Sequence, residues 1–583
     1  MSAQSLQLSP ASFGSVARQA SRSLAQALAG RVSRFIPSQR LVLPTSINGN
    51  VDTLRRGNPD KGFEFYRGRF ELAGETVNVG ARLPFSCEAS DAWHEALHRF
   101  GWLADLAAAG SELQRAQARA FLLDWISNRE SHHDVAMDLG VGARRLINLI
   151  LHCRFMLDQS GEQFEDQFYE SVARHVRWLQ KRLPFAPAGY ARLEAALALS
   201  YAAVCFDTGA RFRDAAFLVL SRELDAQILP DGCHISRNAE SLTDILLDLV
   251  PLVEMIDRQR IEPQQRLCAA IDRAVPALRM LCHGDAGLAA FNGVSKAMRG
   301  AVRLILERDE IGGKPVSVAA QTGYARLSHL RSNVIVDCGT PPPPAHAGRA
   351  HCGALGFEFS EGPQRIIVSC GESPAAEDDW NEAMRTTAAH SAVVLGERAS
   401  GRMLKSRVLT ALLGGPLVLG PHEVDCQVDR HDAGTLFSGR HDGYLKALGL
   451  VHERALWLSS DGLNLRGEDS FIADGAGKRA SGPVEFAVRF HLHPSVKATL
   501  SKDQSSAVLL LPDRSGWRFS ARGARLTLEN SVYLIDRPVP QRTVQLVLSG
   551  LAADNCSVNW ALKKLEKQGR TQGAVSRSPQ LPL

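Results

Sequence analysis

Residues 349–371, RAHCGALGFEFSEGPQRIIVSCG, and 385–396, RTTAAHSAVVLG, decide how the rest of this chain is read. Two apolar runs, Leu355 to Ser360 and Arg365 to Cys370, flank the turn-prone Glu361-Gly362-Pro363, which is the pattern of a β-hairpin. His351 precedes the pair, Ser369 ends the second run and His390 opens the next one. Histidines from adjacent strands are able to converge on a metal, although zinc normally takes three or four ligands. Hydrogen-bonded sheet histidines are the other reading. Arg349, two residues before His351, would point the same way along a strand and could meet a carboxylate bidentately.

Working outward, the same texture continues downstream. From about Gly312 short runs rich in Val, Ile, Leu and Phe alternate with Gly, Asp and Pro turns, including Ser332 to Asp337, Val484 to His491, Ala507 to Leu511, Arg525 to Leu528 and Thr543 to Leu548. That spacing predicts an antiparallel β-sandwich over 313–562. Beyond it, 563–583 reads as a disordered Gln, Ser and Pro-rich tail.

Upstream the period becomes helical. Trp93, Leu97, Phe100, Leu103 and Leu106 recur at three- and four-residue spacing. Further helical segments are Gly142 to Leu157, Phe164 to Leu183, Tyr190 to Phe206, Arg213 to Ile228, Ser241 to Ile256 and Gln264 to Leu281, with Pro184, Gly189, Pro230 and Gly232 as breakers. Such alternation over 76–312 suggests stacked helical hairpins, a solenoid or a ring. Residues 1–75 are expected to hold an amphipathic or poorly ordered arm, then a strand-rich connector from Gly57 to Gly80.

Composition bounds the rest. At 583 residues the chain exceeds what one core serves, so two large domains are expected. A formal charge of +5 is small for this length and marks no nucleic-acid partner. The 11 cysteines form no CxxC pair, which suits reduced thiols and a cytoplasmic location. Neither an ordinary signal peptide nor a run of about 18 apolar residues is present, so no transmembrane segment is expected.

Other residues carry chemistry. The loop ILPDGCHISRN, Ile228 to Asn238, places Asp231, His234, Arg237 and Asn238 between two apolar helices, as a site or as a capping connection. HGDAGLAAFNG, from His283 to Gly293, is a similar loop. Arg144, Arg145 and Asn148 share a helix and face a groove or solvent. His491 and His493 share a strand face, and His441 to Tyr444 is a mixed loop or an Asp-Gly turn. His132, His133 and Asp134 read as surface residues.

Helices followed by a sandwich, with LHRFGWLADLAAAGS, ILPDGCHISRN, HGDAGLAAFNG, TGYARL, AHSAVVL and RFHLHP, resemble the heparinase II/III family of polysaccharide lyases. The resemblance runs from about Gly62 to Trp560. It implies an α+β multidomain fold, an incomplete (α/α) toroid followed by an antiparallel β-sandwich. It also implies β-elimination in a uronate-containing polysaccharide, an acidic glycan as partner, and a periplasmic or envelope location as the alternative to cytoplasm. That reaction needs a group to neutralise the substrate carboxylate and a base beside it.

By position, His351 and His390 match two zinc ligands of the family, and Ser369 stands where the third, an aspartate, is usual. Zinc is thus the one cofactor the resemblance suggests. The family's Asn-His pair reads Tyr190-Ala191 here, and Ser241 stands at the usual catalytic tyrosine. The resemblance leaves Tyr190, His234 and Tyr324 as substitute bases, Arg237 and Arg349 to neutralise the uronate, His351 and His390 to orient the site, and Arg144, Asn148, Asn238 and Tyr324 to contact substrate. The alternatives are a catalytically degenerate glycan-binding or envelope-assembly protein, and a hydrolase built on Asp231 and Glu240.

Overall fold

The computed structural model describes residues 46–49, 51–80, 83–128, 133–262, 264–308, 315–373, 378–404, 406–473, 482, 484–537, 539–552 and 556–566. The arm up to residue 40, His132 and the tail beyond 566 lie outside these.

The helical half is built on Tyr190–Cys205, in which Leu193 through Cys205 are all buried. A helix apolar on every side needs neighbours all round. Leu139–Leu151, Ala210–Gln227 and Ala239–Arg258 provide them. Around this core run Asp91–His98, Trp102–Ala109, Glu112–Ser127, Glu162–Arg182, Gln265–Met280 and Arg299–Glu307. Their ends obey local chemistry: Ser90 Oγ accepts from the Trp93 N–H, Asn238 Oδ1 accepts from the Ser241 N–H, and Gly110 takes φ 72°.

Two expectations are corrected here. Gly57 to Gly80 opens with a helix, Pro59–Tyr66, because Asn58 caps it and Pro59 occupies its first turn; only Arg69–Leu72 and Glu75–Asn78 pair as strands. Gly142 to Leu157 is two helices, Leu139–Leu151 and Cys153–Leu157, parted at His152. A segment ahead of the helix Pro59–Tyr66 straps the toroid. Asn48 N–H donates to Cys205 O, Arg154 reaches Gly49 O, and Leu54 is buried.

The sandwich consists of two antiparallel sheets. The eight-stranded one runs, in spatial order, Val424–His431, Gly434–His441, Leu450–Ser459, Asn464–Ala473, Cys556–Lys564, Gly516–Arg522, Ser506–Leu510 and Lys497–Leu500. The nine-stranded one runs Arg525–Tyr533, Gln541–Ala552, Val484–Leu492, Gln364–Val368, Phe357–Glu361, Ser332–Asp337, Tyr324–His329 and Val318–Ala319, with Val393–Leu395 beside Val484–Leu492. Between them Phe357 stacks on Trp560 at 5.5 Å, and Phe490 meets the same indole edge-on at 4.9 Å.

The decisive hairpin is therefore Phe357–Glu361 paired with Gln364–Val368, in register with one bulge, and Gly362 turns it at φ 52°. Arg349 and His351 are not on its strand, contrary to expectation. They lie in coil, and the hairpin begins only at Phe357, because glycines shape the approach: a Cβ on Gly353 would sit 2.8 Å from the His390 ring.

Candidate functional site

The two halves are bolted together by Arg237. Its backbone is left-handed at φ 62°, which turns the guanidinium into the sandwich. There Nε donates to Thr322 O at 2.6 Å, Nη1 to Gly339 O and Thr340 O, and Nη2 to Gly323 O and the Asp337 carboxylate. Buried and fully engaged, Arg237 is not free for the expected uronate contact. Tyr324 is engaged likewise. Its hydroxyl donates to Arg237 O and accepts from Asn292 Nδ2 at 2.9 Å, so it is committed to holding the joint and is not free to act as a base, and burial holds its ionisation far above the ordinary phenol range. Asn238 caps its helix and donates to Asn292 O at 2.7 Å. Asn292 in turn accepts the His351 N–H at 3.2 Å.

Tyr190 and His234 do come together, at the N-terminal end of Tyr190–Cys205, with ring centroids 6.1 Å apart; His346 of the sandwich lies 5.9 Å from His234 on an edge-to-face approach. Burial keeps both imidazoles neutral, pushing His234 down to about 3 and His346 to about 4. His234 is held by Ser236 Oγ at 2.6 Å and Gln227 Oε1 at 3.2 Å. Behind Tyr190 lies a charge network on which the sequence reading was silent. Arg144 Nε donates to Glu194 Oε1 at 2.7 Å and its Nη1 lies 2.8 Å from Asp248; Arg55 of the strap donates to Asp248 at 2.8 Å and Asp244 at 3.0 Å. Burial, with Asp244 and Glu194 adding to it, pushes the Tyr190 phenol well above its ordinary range. Spacing from Ser241 to Asp244 and Asp248 places all three along one helix face, a signal that was present in the sequence. Arg55 gave no such signal, because its partners lie about 190 residues away.

Arg144 is thus a buried structural cation. Asn148 is buried as well, donating to Arg99 O at 2.8 Å, so neither faces an open groove as expected of a substrate contact. Arg145 is buried, with Nη1 on His98 O at 2.9 Å. His133 is half-buried, its ring stacked on His94 at 4.3 Å, while Asp134 is exposed.

On the sandwich side Arg349 Nη1 donates to Glu240 Oε2 at 2.6 Å and Nε to Glu372 Oε2 at 3.2 Å. Glu240 also accepts from Ser295 N–H at 2.6 Å, and Asp231 from Gln321 and Thr322 N–H at 2.9 and 2.8 Å. The carboxylates of the hydrolase alternative are therefore both committed to holding loops. The mixed loop at His441 is a turn: Asp442 Oδ1 accepts from His422 and Glu423 N–H, and the Tyr444 hydroxyl donates to Val393 O. His491 is fastened by Ala388 O at 2.9 Å and Ser531 Oγ at 2.7 Å.

His351 and His390 meet, Nδ1 to Nε2, at 3.2 Å. Ser369 lies opposite His390, since Cys370 N–H donates to Ala389 O and Ser391 Oγ to Val368 O. Burial drives both imidazoles down, His351 to about 3, so both are neutral and one donates to the other. These residues do not fit zinc. The set supplies two nitrogens and a serine hydroxyl, and the outer nitrogens His351 Nε2 and His390 Nδ1 find no partner to fix them. Among the described residues no group of three or more His, Cys, Asp or Glu converges on a metal position.

A ring-like stack of helices set against a two-sheet antiparallel sandwich, meeting along these charged loops, defines a protein of toroid-plus-sandwich build. Residues 311–561 match the family model described as heparinase II/III-like, C-terminal. That domain is similar to the heparinase II/III family, and over most of its length the chain has the heparinase III fold. The chain superposes on the crystal structure of heparinase III with a TM-score of 0.66 at 14% identity, covering 93% of this chain and 89% of that one. A heparan sulfate lyase HepC mutant from Pedobacter heparinus gives 0.60 at 13%, covering 97% and 92%. In sequence the chain is 29% identical over 533 residues to FtsZ-localized protein C of Caulobacter vibrioides, covering 90% of this chain and 91% of the relative.

Proposed function

We propose that this chain is a heparinase-like protein without lyase turnover, which uses the face between toroid and sandwich to hold a glycan or assembly partner. The observation that carries this is the occupancy of Arg349. In a lyase the cation near the proton to be abstracted must meet the substrate carboxylate as charge develops. Here that guanidinium spans Glu240 and Glu372, so a uronate would have to displace two carboxylates. Ser241 at the usual base position supports the same reading. So does the likeness to a protein named for localisation with FtsZ, which favours an assembly role at the division site. The test pairs two measurements on folded protein: ultraviolet detection of unsaturated uronate across heparan sulfate, hyaluronan and alginate, and calorimetric binding to the same glycans. Absence of product together with saturable glycan binding, or with FtsZ co-localisation of a fluorescent fusion, supports the proposal. Steady release of product overturns it.

One constellation favours the lyase reading, the half-buried Tyr190 facing His234 and His346 across the joint. In that reading Tyr190 or His234 removes the proton, and Tyr190→Phe abolishes whatever turnover is found.

A further inference from the structure

The eight-stranded sheet turns one face to the sandwich core, where Phe437, Leu456, Leu465, Trp517 and Trp560 are buried. Alternation along each strand sends every second residue to the opposite face. That face is open: Asp425, Arg440, Lys563, Arg518 and Lys497 on it are exposed.

Charge is divided across it. At one end the strands Val424–His431, Gly434–His441 and Leu450–Ser459 turn Asp425, Asp429 and Glu453 outward, with Arg440 standing between Asp425 and Glu453 in the register. At the other end Cys556–Lys564, Gly516–Arg522, Ser506–Leu510 and Lys497–Leu500 contain no Asp or Glu. There Lys563 lies directly opposite Arg518, and Lys497 stands on the edge strand. Both ends also carry apolar groups. Leu436 and Trp457 are half-buried cross-strand partners at the acidic end, and Val508 and Leu510 are 39% and 43% exposed at the basic end.

We propose that this face is the interface of a two-fold dimer of the chain, each copy laying its acidic end over the basic end of the other. In a two-fold contact one patch meets itself, so the patch must be self-complementary. This one is, with acid set against base and Leu436 and Trp457 set toward Val508 and Leu510. Tryptophan is also among the residues that anchor interfaces. Size agrees as well: eight strands about 4.8 Å apart, each roughly seven residues long at about 3.3 Å per residue, give roughly 800 Å², the share one partner brings to a standard interface. A polyanion is the competing occupant of the basic end. It would leave the acidic end unmatched and the apolar groups there wet, which favours the second copy.

This inference is independent of what the face between toroid and sandwich binds, because that joint is built on Tyr324 and Asp337 of the other sheet.

Sedimentation equilibrium of the full chain at low salt should give twice the mass of one chain, with dissociation as salt rises, since exposed charges are screened. Two variants each reverse one end: Asp425→Lys with Asp429→Lys, and Lys497→Glu with Arg518→Glu. Alone, each should weaken self-association about tenfold or more, because like charges then meet. Mixed in equal amounts, the two should restore the dimer, because each reversed end now attracts its counterpart. Circular dichroism checks that both remain folded. A wild-type chain that stays monomeric at every salt and concentration overturns the proposal, as does a dimer that both variants leave intact or a mixture that stays monomeric. Loss of heparin binding in Lys497→Glu with Arg518→Glu, at unchanged mass, would assign the basic end to a polyanion and overturn it too.

Discussion

Arg349 Nη1 sits 2.6 Å from Glu240 Oε2, an ion pair drawn between the coil before the sandwich hairpin and the first turn of a toroid helix. A carboxylate in the first turn also suits the positive end of that helix. The pair therefore fastens the domain face as it consumes the cation that a uronate would need. With the Arg349 side chain 38% exposed, solvent screening keeps its worth modest. Arg349→Ala is expected to lower the unfolding free energy by about 1 kcal/mol, read from the urea midpoint at constant m. Any glycan binding found for the folded protein should be unchanged by it, whereas an arginine that neutralises a bound uronate would show a large loss of affinity.

Arg237 should behave differently because it is buried. Arg237→Met strands Asp337 and four carbonyls, and its expected cost is about 3–5 kcal/mol. Denaturant unfolding measures this. Adding Asp337→Asn should recover part of the loss, since the uncompensated buried charge is then gone.

Acid should destabilise the protein through its buried imidazoles. His234 and His351 are held down to about 3, and His346 and His491 to about 4, against 6.5 for a free imidazole. Their folded values are depressed, so the unfolded chain binds protons that the folded one refuses. The stability they contribute is full above 6.5 and is lost as pH falls toward 4 and below. Each such histidine should steepen the loss by up to about 1.4 kcal/mol per pH unit in that window, measurable as a falling denaturant midpoint between neutral pH and pH 4.

Zinc should not load at the histidine pair. Protein equilibrated with zinc and then desalted is expected to carry well under one equivalent by elemental analysis, and a chelator should leave Tm unmoved. A stoichiometric, chelator-sensitive zinc would show that the serine at 369 is replaced as ligand by another group.

Much of the architecture was legible in the residues. Tyr190 to Phe206, Arg213 to Ile228 and Gln264 to Leu281 fall within a few residues of Tyr190–Cys205, Ala210–Gln227 and Gln265–Met280, because apolar period and flanking Gly or Pro are local signals. Strands such as Val424–His431 and Asn464–Ala473 were missed. Their outward faces carry Asp425, Gln427, Glu468 and Ser470, so short-range hydrophobicity is diluted. The site divides similarly. Tyr190, His234, His351 and His390 were named from the chain, and the structure pairs them two by two. Arg55, Glu194, Asp248, Asn292, Asp337 and Glu372 were not named, since partners far apart in sequence leave no local trace.

The class was legible from the residues alone: a helical half, a sandwich half and a hairpin over 355–370. Those follow from residue identity and from periods of 3.6 and 2, which need no tertiary information. Only the folded structure decided what each cation is doing. Arg237, Arg144 and Arg349 read as candidate ligand contacts in the chain. Each became a structural tie once folding brought Asp337, Asp248 and Glu240 to it, because a guanidinium removed from water must be paired where it lies.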